Sequence, residues 1–325
     1  MNQEPIFILG AHKSGTSLLR NLFDGHTQLF VIPIETHFFQ HNGLWIDYGI
    51  RRQFTSSLDE NEIKDNYIKW IKYVNENADL YADSNTKGFW DIELLEQNLS
   101  NISGYNNLKK SIENFTESMY YALRSEKLSD NLRIIEKSVE NAEYAVLLKK
   151  MFPKAKFIHI VRNPYSNITS IRKSKSQNGY PNLRRIMQSM YNSYYYLEKN
   201  QVLIDDDYFV LKYEDLVQYP NENVNKIIDF TNIRRDNILF RPTVNGEIWD
   251  GNSTTNKSFK GLSSEHLNRW TDEIEPIEIN LINTCFKHIL KRYGYEIIDK
   301  RNYFKLSKNE KIRTYLANRL LIKYL

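Results

Sequence analysis

The sequence predicts an α/β fold: a parallel β-sheet flanked by helices, with a helical insertion after the first strands. Three observations point there. Four short apolar runs, Ile6–Leu9, Leu132–Ile135, Lys156–Val161 and Tyr208–Lys212, read as buried strands. Helical patterns alternate with them, at Thr16–Gly25, Asn141–Met151, Pro164–Lys175, Leu183–Lys199 and Asn223–Phe230. That alternation is expected of a parallel sheet with helices on both faces. The third observation is the glycine loop GAHKSGTS, Gly10–Ser17, between the first run and the first helix.

Each element has a local reason. The first run is bounded by Gly10, and the first helix opens at Thr16 after Gly15. Asn163-Pro164 supplies an N-cap and a first-turn proline for the helix after the third run. Residues 45–130 are polar, aromatic and mostly helical in pattern. They form either a substrate lid or an ordinary peripheral helical layer; long insertions are often functional. A shorter β-like run, Leu29–Ile32, precedes Glu35. After Phe240 comes an irregular stretch rich in Gly, Asn and Ser, with Lys257 and Lys260, of the kind that often binds ligands.

The chain has 325 residues, enough for one large domain, read here as residues 1–300 with a basic tail over 301–325. Its net charge of +4 suits an anionic ligand but is too weak to argue for nucleic acid. Cys285 is the single cysteine, so an intrachain disulfide and a cysteine metal cluster are both excluded. No secretory signal and no membrane-length apolar run is visible, which leads us to expect a cytoplasmic protein.

The loop nearly fits the phosphate-binding frame G-x-x-x-x-G-K-[ST], but Thr16 stands where the lysine belongs. Lys13 is inside the loop instead, with Ser14, Gly15, Thr16 and Ser17 after it. Backbone N–H groups from Lys13 to Ser17 and the following helix N-terminus make an anion site. A Mg-dependent triphosphatase needs a metal-holding Asp at another strand end. The strand ends here carry Glu136-Lys137, Arg162-Asn163 and Tyr213-Glu214-Asp215. The first two bring cations, so the ligand's charge is neutralised by the protein itself. Ligands of parallel sheets sit beyond the carboxyl ends of the strands, which groups the loop with Lys137, Arg162 and Tyr213. The Arg162 guanidinium can fork onto a phosphate, or it can pair with a neighbouring acid such as Glu136. Ser170 lies two helical turns on.

These residues carry a resemblance. GAHKSGTSLLR looks like the 5′-phosphosulfate loop of sulfotransferases that use 3′-phosphoadenosine 5′-phosphosulfate (PAPS). FIHIVRNPYSNITS resembles their 3′-phosphate motif, and FVLKYEDLVQYP their later strand. The likeness is greatest to the tyrosylprotein and heparan sulfate branch, in a form without a signal anchor. It implies that Arg162, Ser170 and Lys260 hold the 3′-phosphate. It also implies a base: VIPIETHFF resembles the segment whose glutamate takes the acceptor proton, here Glu35. Lys13 would then neutralise the bridging oxygen and Lys137 the sulfuryl oxygens, in an in-line transfer to a hydroxyl with no metal. The acceptor suggested by that branch is a glycan or glycolipid, with a tyrosyl group or small phenol second. The alternatives are a kinase using Mg-ATP and a non-catalytic nucleotide-binding protein.

His37 and His41 have metal-pair spacing, but no third ligand or HExxH frame accompanies them. His12 and His159 read as packing or polar partners, and Tyr191, Tyr194, Tyr195 and Tyr196 as core. Ile312, Leu316, Leu320 and Tyr324 recur at helical spacing in the basic tail. A helix packed on the core is preferred there over peripheral membrane contact.

Overall fold

The structure is a computed structural model that describes residues 4–47, 52–77, 88–100, 107–175, 183–249, 251 and 262–298. Lys257, Lys260 and the basic tail lie outside the described residues.

In chain order the first half comprises β1 (Ile6–Gly10), α1 (Thr16–Phe23), β2 (Leu29–Val31), α2 (Phe38–His41), the hairpin β3 (Leu44–Asp47) and β4 (Arg52–Thr55), α3 (Glu60–Glu76), α4 (Ile92–Ser100) and α5 (Leu108–Arg124). The second half comprises β5 (Arg133–Lys137), α6 (Asn141–Met151), β6 (Lys156–Val161), α7 (Pro164–Lys175), α8 (Leu183–Ile204), β7 (Tyr208–Lys212), α9 (Tyr213–Gln218), α10 (Pro220–Thr231), the short hairpin β8 (Thr243–Val244) and β9 (Glu247–Ile248), α11 (Pro276–Cys285) and α12 (Lys287–Arg292).

Five strands form one parallel sheet in the order β2-β5-β1-β6-β7. Period-2 alternation divides the strands between two cores. Ile6 and Ile8 face one side with Ile135, Ile158, Ile160 and Leu211, where α1, α9 and α10 cover them. Phe7 and Leu9 face the other with Ile134, Phe157 and Val161, under α3 to α8, α11 and α12. The handedness of parallel crossovers explains this division. From β1 to β2 the chain moves one way across the sheet, and α1 falls on one face. Every later step moves the opposite way, so its helices fall on the other.

The predicted strands and helices recur, with three differences. The run expected at Leu132–Ile135 is β5, extended to Lys137 because Ile8 of β1 pairs with Lys137. Three helices have different ends: α1 stops at Phe23, where Asp24 turns extended, α8 runs on to Ile204, and α10 spans Pro220–Thr231 rather than Asn223–Phe230. The insertion opens with the β3–β4 hairpin before it becomes helical. Its helices are part of the core: Ile63, Tyr67, Ile71 and Val74 of α3 are buried, and Tyr67 stacks on Phe115 of α5 at 3.7 Å. Among the described residues no helix is long and apolar enough to cross a membrane.

Candidate functional site

The carboxyl ends of β1, β5, β6 and β7 point to one edge of the sheet, as parallel strands must. Gly10, Lys137, Arg162 and Tyr213 stand at or just after those ends.

At β1 the loop closes with a turn in which Ser14 N–H donates to the Ala11 carbonyl at 3.1 Å. Lys13 has φ 59° and Gly15 φ 103°. Gly15 is required twice over: its φ disfavours L side chains, and a Cβ would run into the Tyr213 ring. Gly15 caps α1 with no side-chain hydrogen bond, so the first N–H groups of that helix have no side-chain cap. Their positive dipole end faces the loop. The Ser14 Oγ and the Arg162 Nε are buried atoms without a hydrogen-bond partner. A loop with hydroxyl, guanidinium and amide donors around it fits a phosphate-bearing group.

Arg162 is held against this loop. Its Nη1 donates to the Lys13 carbonyl at 2.8 Å, and its guanidinium lies 4.7 Å over the Tyr213 ring. The Asn167 side chain donates to the His12 carbonyl at 2.7 Å, tying α7 to the same loop. Asn163 caps α7 as its sequence predicted, accepting from Tyr165 N–H at 3.0 Å. Ser170 is half-buried further along that helix. The alternative of an Arg162–Glu136 salt bridge is not what forms, because Glu136 is committed elsewhere.

At β5, Lys137 is buried, and its Nζ donates to Glu35 Oε1 at 2.5 Å. Glu35 precedes α2 on a segment fixed by a polar cluster. Glu136, 1% exposed, accepts from Thr36 Oγ1 at 2.7 Å, from Ser138 Oγ at 2.5 Å, and from the Asn141 amide. The Ser138 Oγ accepts in turn from Thr36 N–H at 2.9 Å and His37 N–H at 3.4 Å. These bonds hold His37 at φ 48°, a left-handed conformation that costs roughly 1–3 kcal/mol. The Trp70 indole of α3 donates to the Glu35 carbonyl at 2.9 Å and meets the His37 ring edge-on at 4.8 Å.

Electrostatics follow from this packing. Burial pushes the Glu136 carboxyl up, against the pull of its hydroxyl donors. Burial alone would lower His37, but the hydrogen bond and charge of Glu140, helped by Glu35 and Glu136, raise it. Burial would likewise raise Glu140, and its bond to His37 with the His37 and His12 charges pulls it down instead. His37 Nδ1 and Glu140 Oε2 lie 3.5 Å apart, and each group favours the charged form of the other. His41 goes the other way, to about 3, through burial and the neighbouring His37.

The His37 and His41 rings stand edge-to-face, 6.4 Å apart. A different set comes together: Glu35, His37 and Glu140 each place a ligand atom within 4.8 Å of the others. A metal ion there would compete with the Lys137 ammonium for the same Glu35 carboxylate. His159 is buried within the sheet, bonds to the Tyr208 hydroxyl at 2.6 Å, and is pushed down to about 3 by burial. Sequence alone does not single out Thr36, Ser138, Asn141, Glu140, Trp70 and Asn167, and it names Glu136 only as a strand end and a possible partner of Arg162. The available signal was the polar run Glu136–Ser138 at the end of a buried strand.

The sequence profile of the sulfotransferase family matches residues 5–237, which include the loop, Glu35, Lys137, Arg162 and Tyr213. The chain belongs to the sulfotransferase family. No curated protein sequence matches it significantly. Among solved structures it resembles a sulfotransferase domain from the curacin biosynthetic pathway, with 19% identity and a TM-score of 0.54. That match covers 91% of this chain and 99% of the other, and it supports the fold. A sulfotransferase domain from the Synechococcus PCC 7002 olefin synthase is also similar, at 19% identity and a TM-score of 0.49, over 91% of this chain and 96% of that one. As a family member the chain is a sulfuryl transferase acting on a hydroxyl-bearing acceptor.

Proposed function

We propose that this sulfotransferase uses PAPS and moves its sulfuryl group to a hydroxyl, with a carbohydrate as the acceptor and a tyrosyl group or phenol as the next candidates. The observation that carries this reading is the gathering of the Gly10–Ser17 loop, the Lys137–Glu35 pair and Arg162 at one sheet edge. PAPS, when bound, supplies the sulfuryl group and a leaving diphosphoadenosine.

The chain's own groups do the rest. Loop N–H groups with Ser14, Thr16 and Ser17 bind the 5′ anion, and Lys13 neutralises charge that grows on its bridging oxygen. Arg162 and Ser170 hold the 3′-phosphate, and Tyr213 backs the Arg162 guanidinium. Lys260 joins them on the strength of the family motif alone. Glu35 accepts the acceptor proton while Lys137 supports the sulfuryl oxygens. The charge is met by Lys13, Lys137 and Arg162, joined by Lys260, and by a helix N-terminus, so positioning and preorganised electrostatics lower the barrier. Glu136 is unsuited to metal binding, because its oxygens are occupied by Thr36, Ser138 and Asn141.

Thermal unfolding tests the reading. The product 3′,5′-diphosphoadenosine without Mg²⁺ should stabilise the protein; at ~100 times its dissociation constant the gain is about 2.7 kcal/mol. Stabilisation by Mg-ATP and none by that product would overturn the reading in favour of a kinase. No response to either would point to a protein that has kept the loop without the activity.

A further inference from the structure

Consecutive residues of α9 hold Arg162 and the peptide after it. Tyr213 lies beneath its guanidinium, 4.7 Å from ring centre to Cζ. Glu214 reaches the backbone just beyond it, where Oε1 accepts from the Asn163 N–H at 2.9 Å. Glu214 uses its other oxygen to accept from the Tyr295 hydroxyl at 2.8 Å. The carboxylate thus bridges the peptide after Arg162 to a segment that follows α12, 81 positions away in the chain.

That segment is latched a second time. The Tyr165 hydroxyl at the start of α7 accepts from Ile298 N–H at 3.3 Å, and Asn283 of α11 donates to the Ile298 carbonyl at 3.0 Å. Lys212, the last residue of β7, sits 4.9 Å over the Tyr295 ring. The residues after α12 are therefore built into the support of the Arg162 turn. Neither Glu214 nor Tyr295 hydrogen-bonds to the Arg162 side chain, whose own bond runs to the Lys13 carbonyl, so the link from them runs through the backbone at Asn163.

We propose that Glu214 and Tyr295 are positioning residues that set how well the chain distinguishes a 3′-phosphorylated adenosine nucleotide from one lacking that phosphate. This rests on the proposed role of Arg162. The physical basis is geometric. A guanidinium makes a two-point contact with phosphate only in one plane, and that plane is fixed by the strand-to-helix turn on which Arg162 sits. Releasing the Asn163 N–H from Glu214 loosens that turn. The loop anion site is held chiefly by Gly15 and the α1 N-terminus and leans on the Arg162 turn only through the bond to the Lys13 carbonyl.

Calorimetric titration with 3′,5′-diphosphoadenosine and with adenosine 5′-monophosphate separates the two contributions, because the ligands differ only in the 3′-phosphate. Tyr295→Phe removes one hydroxyl and keeps the ring. It should weaken the diphosphate about three- to tenfold, the scale of one hydrogen bond, and weaken the monophosphate far less. Glu214→Ala should weaken it further, and adding Tyr295→Phe to Glu214→Ala should add nothing, since the hydroxyl acts through that carboxylate. Equal losses for both ligands, an unchanged ratio with only a lower melting temperature, or additive effects in the double variant would each overturn the proposal. Failure of the wild-type protein to bind the diphosphate would instead remove the PAPS reading beneath it.

Discussion

Glu35 and Lys137 are ion-paired at 2.5 Å, one on the turn after β2 and the other at the end of β5. Lys137 is 1% exposed and Glu35 19%, so the pair is largely withdrawn from water. A pair in that position is sensitive to loss of one partner, because the survivor remains buried without its counter-charge. Glu35→Ala should therefore lower stability by more than Glu35→Gln, whose amide oxygen still accepts from the ammonium. The loss should approach ~3 kcal/mol for the alanine variant. Urea unfolding of the ligand-free protein checks this. Wild-type stability in both variants would mean that the pair contributes nothing.

The same two variants report on catalysis. Glu35→Gln should retain binding of 3′,5′-diphosphoadenosine and lose ~10²- to 10⁴-fold in turnover, the usual contribution of a positioned base. The assay needs an acceptor, found by offering sugars, tyrosyl peptides and phenols with labelled PAPS. Wild-type turnover in Glu35→Gln would shift the base to His37, whose Nε2 lies 3.8 Å from Glu35 Oε2.

The pair of His37 and Glu140 predicts a pH dependence. The folded pKa of His37 is raised, so its stabilisation is fully present below the unfolded value of 6.5 and is lost as pH rises through the folded one. The folded pKa of Glu140 is lowered, so its stabilisation is present above 4.5 and is lost as pH falls. The stability difference between wild type and His37→Gln should be largest at mildly acid pH and should shrink above neutrality. A difference that is flat across this range would show that the His37 pKa is the same in the folded and unfolded states.

Much of this architecture is legible in the sequence, for identifiable reasons. β1, β6 and β7 are continuous apolar runs because helices cover the sheet on both faces, and α7 is announced by Asn163 and Pro164. β2 has three residues, too few for a period to register beyond a β-like run. The β3–β4 hairpin is half-exposed and carries no clean alternation, so it merged with the helical pattern after it. Lys13, Lys137 and Arg162 stand out because a cation after a buried strand has little other reason to be there. Of the cluster around Glu136 the chain shows only the polar run Glu136–Ser138. Its partner Thr36 is 100 positions away, and only the pairing of β2 with β5 brings them together.

Gly15 offers a test of the loop that needs no ligand chemistry. Gly15→Ala forces a Cβ into the Tyr213 ring at a φ of 103°. It should destabilise the fold by more than 1 kcal/mol and abolish diphosphoadenosine binding. Gly15→Ala combined with Tyr213→Ala should recover stability, because the clash is relieved, but only the part not due to backbone strain. Full recovery would show that φ at Gly15 is unstrained for alanine.

The last prediction concerns Arg162. If its guanidinium forks onto the 3′-phosphate, Arg162→Ala should weaken 3′,5′-diphosphoadenosine far more than adenosine 5′-monophosphate. Loss of one charge-assisted contact costs ~1.5–3 kcal/mol, roughly a 10- to 150-fold fall in affinity. Arg162→Lys should recover only part of this, because an ammonium cannot make the planar two-point contact. Arg162 also donates to the Lys13 carbonyl at 2.8 Å, so the alanine variant loses one support of the loop as well. That part of the loss must fall on both ligands alike, and the monophosphate measures it. The excess on the diphosphate is then the 3′ contact itself. Equal losses for both ligands would make Arg162 a loop support only, and the 3′-phosphate would have to be held from elsewhere.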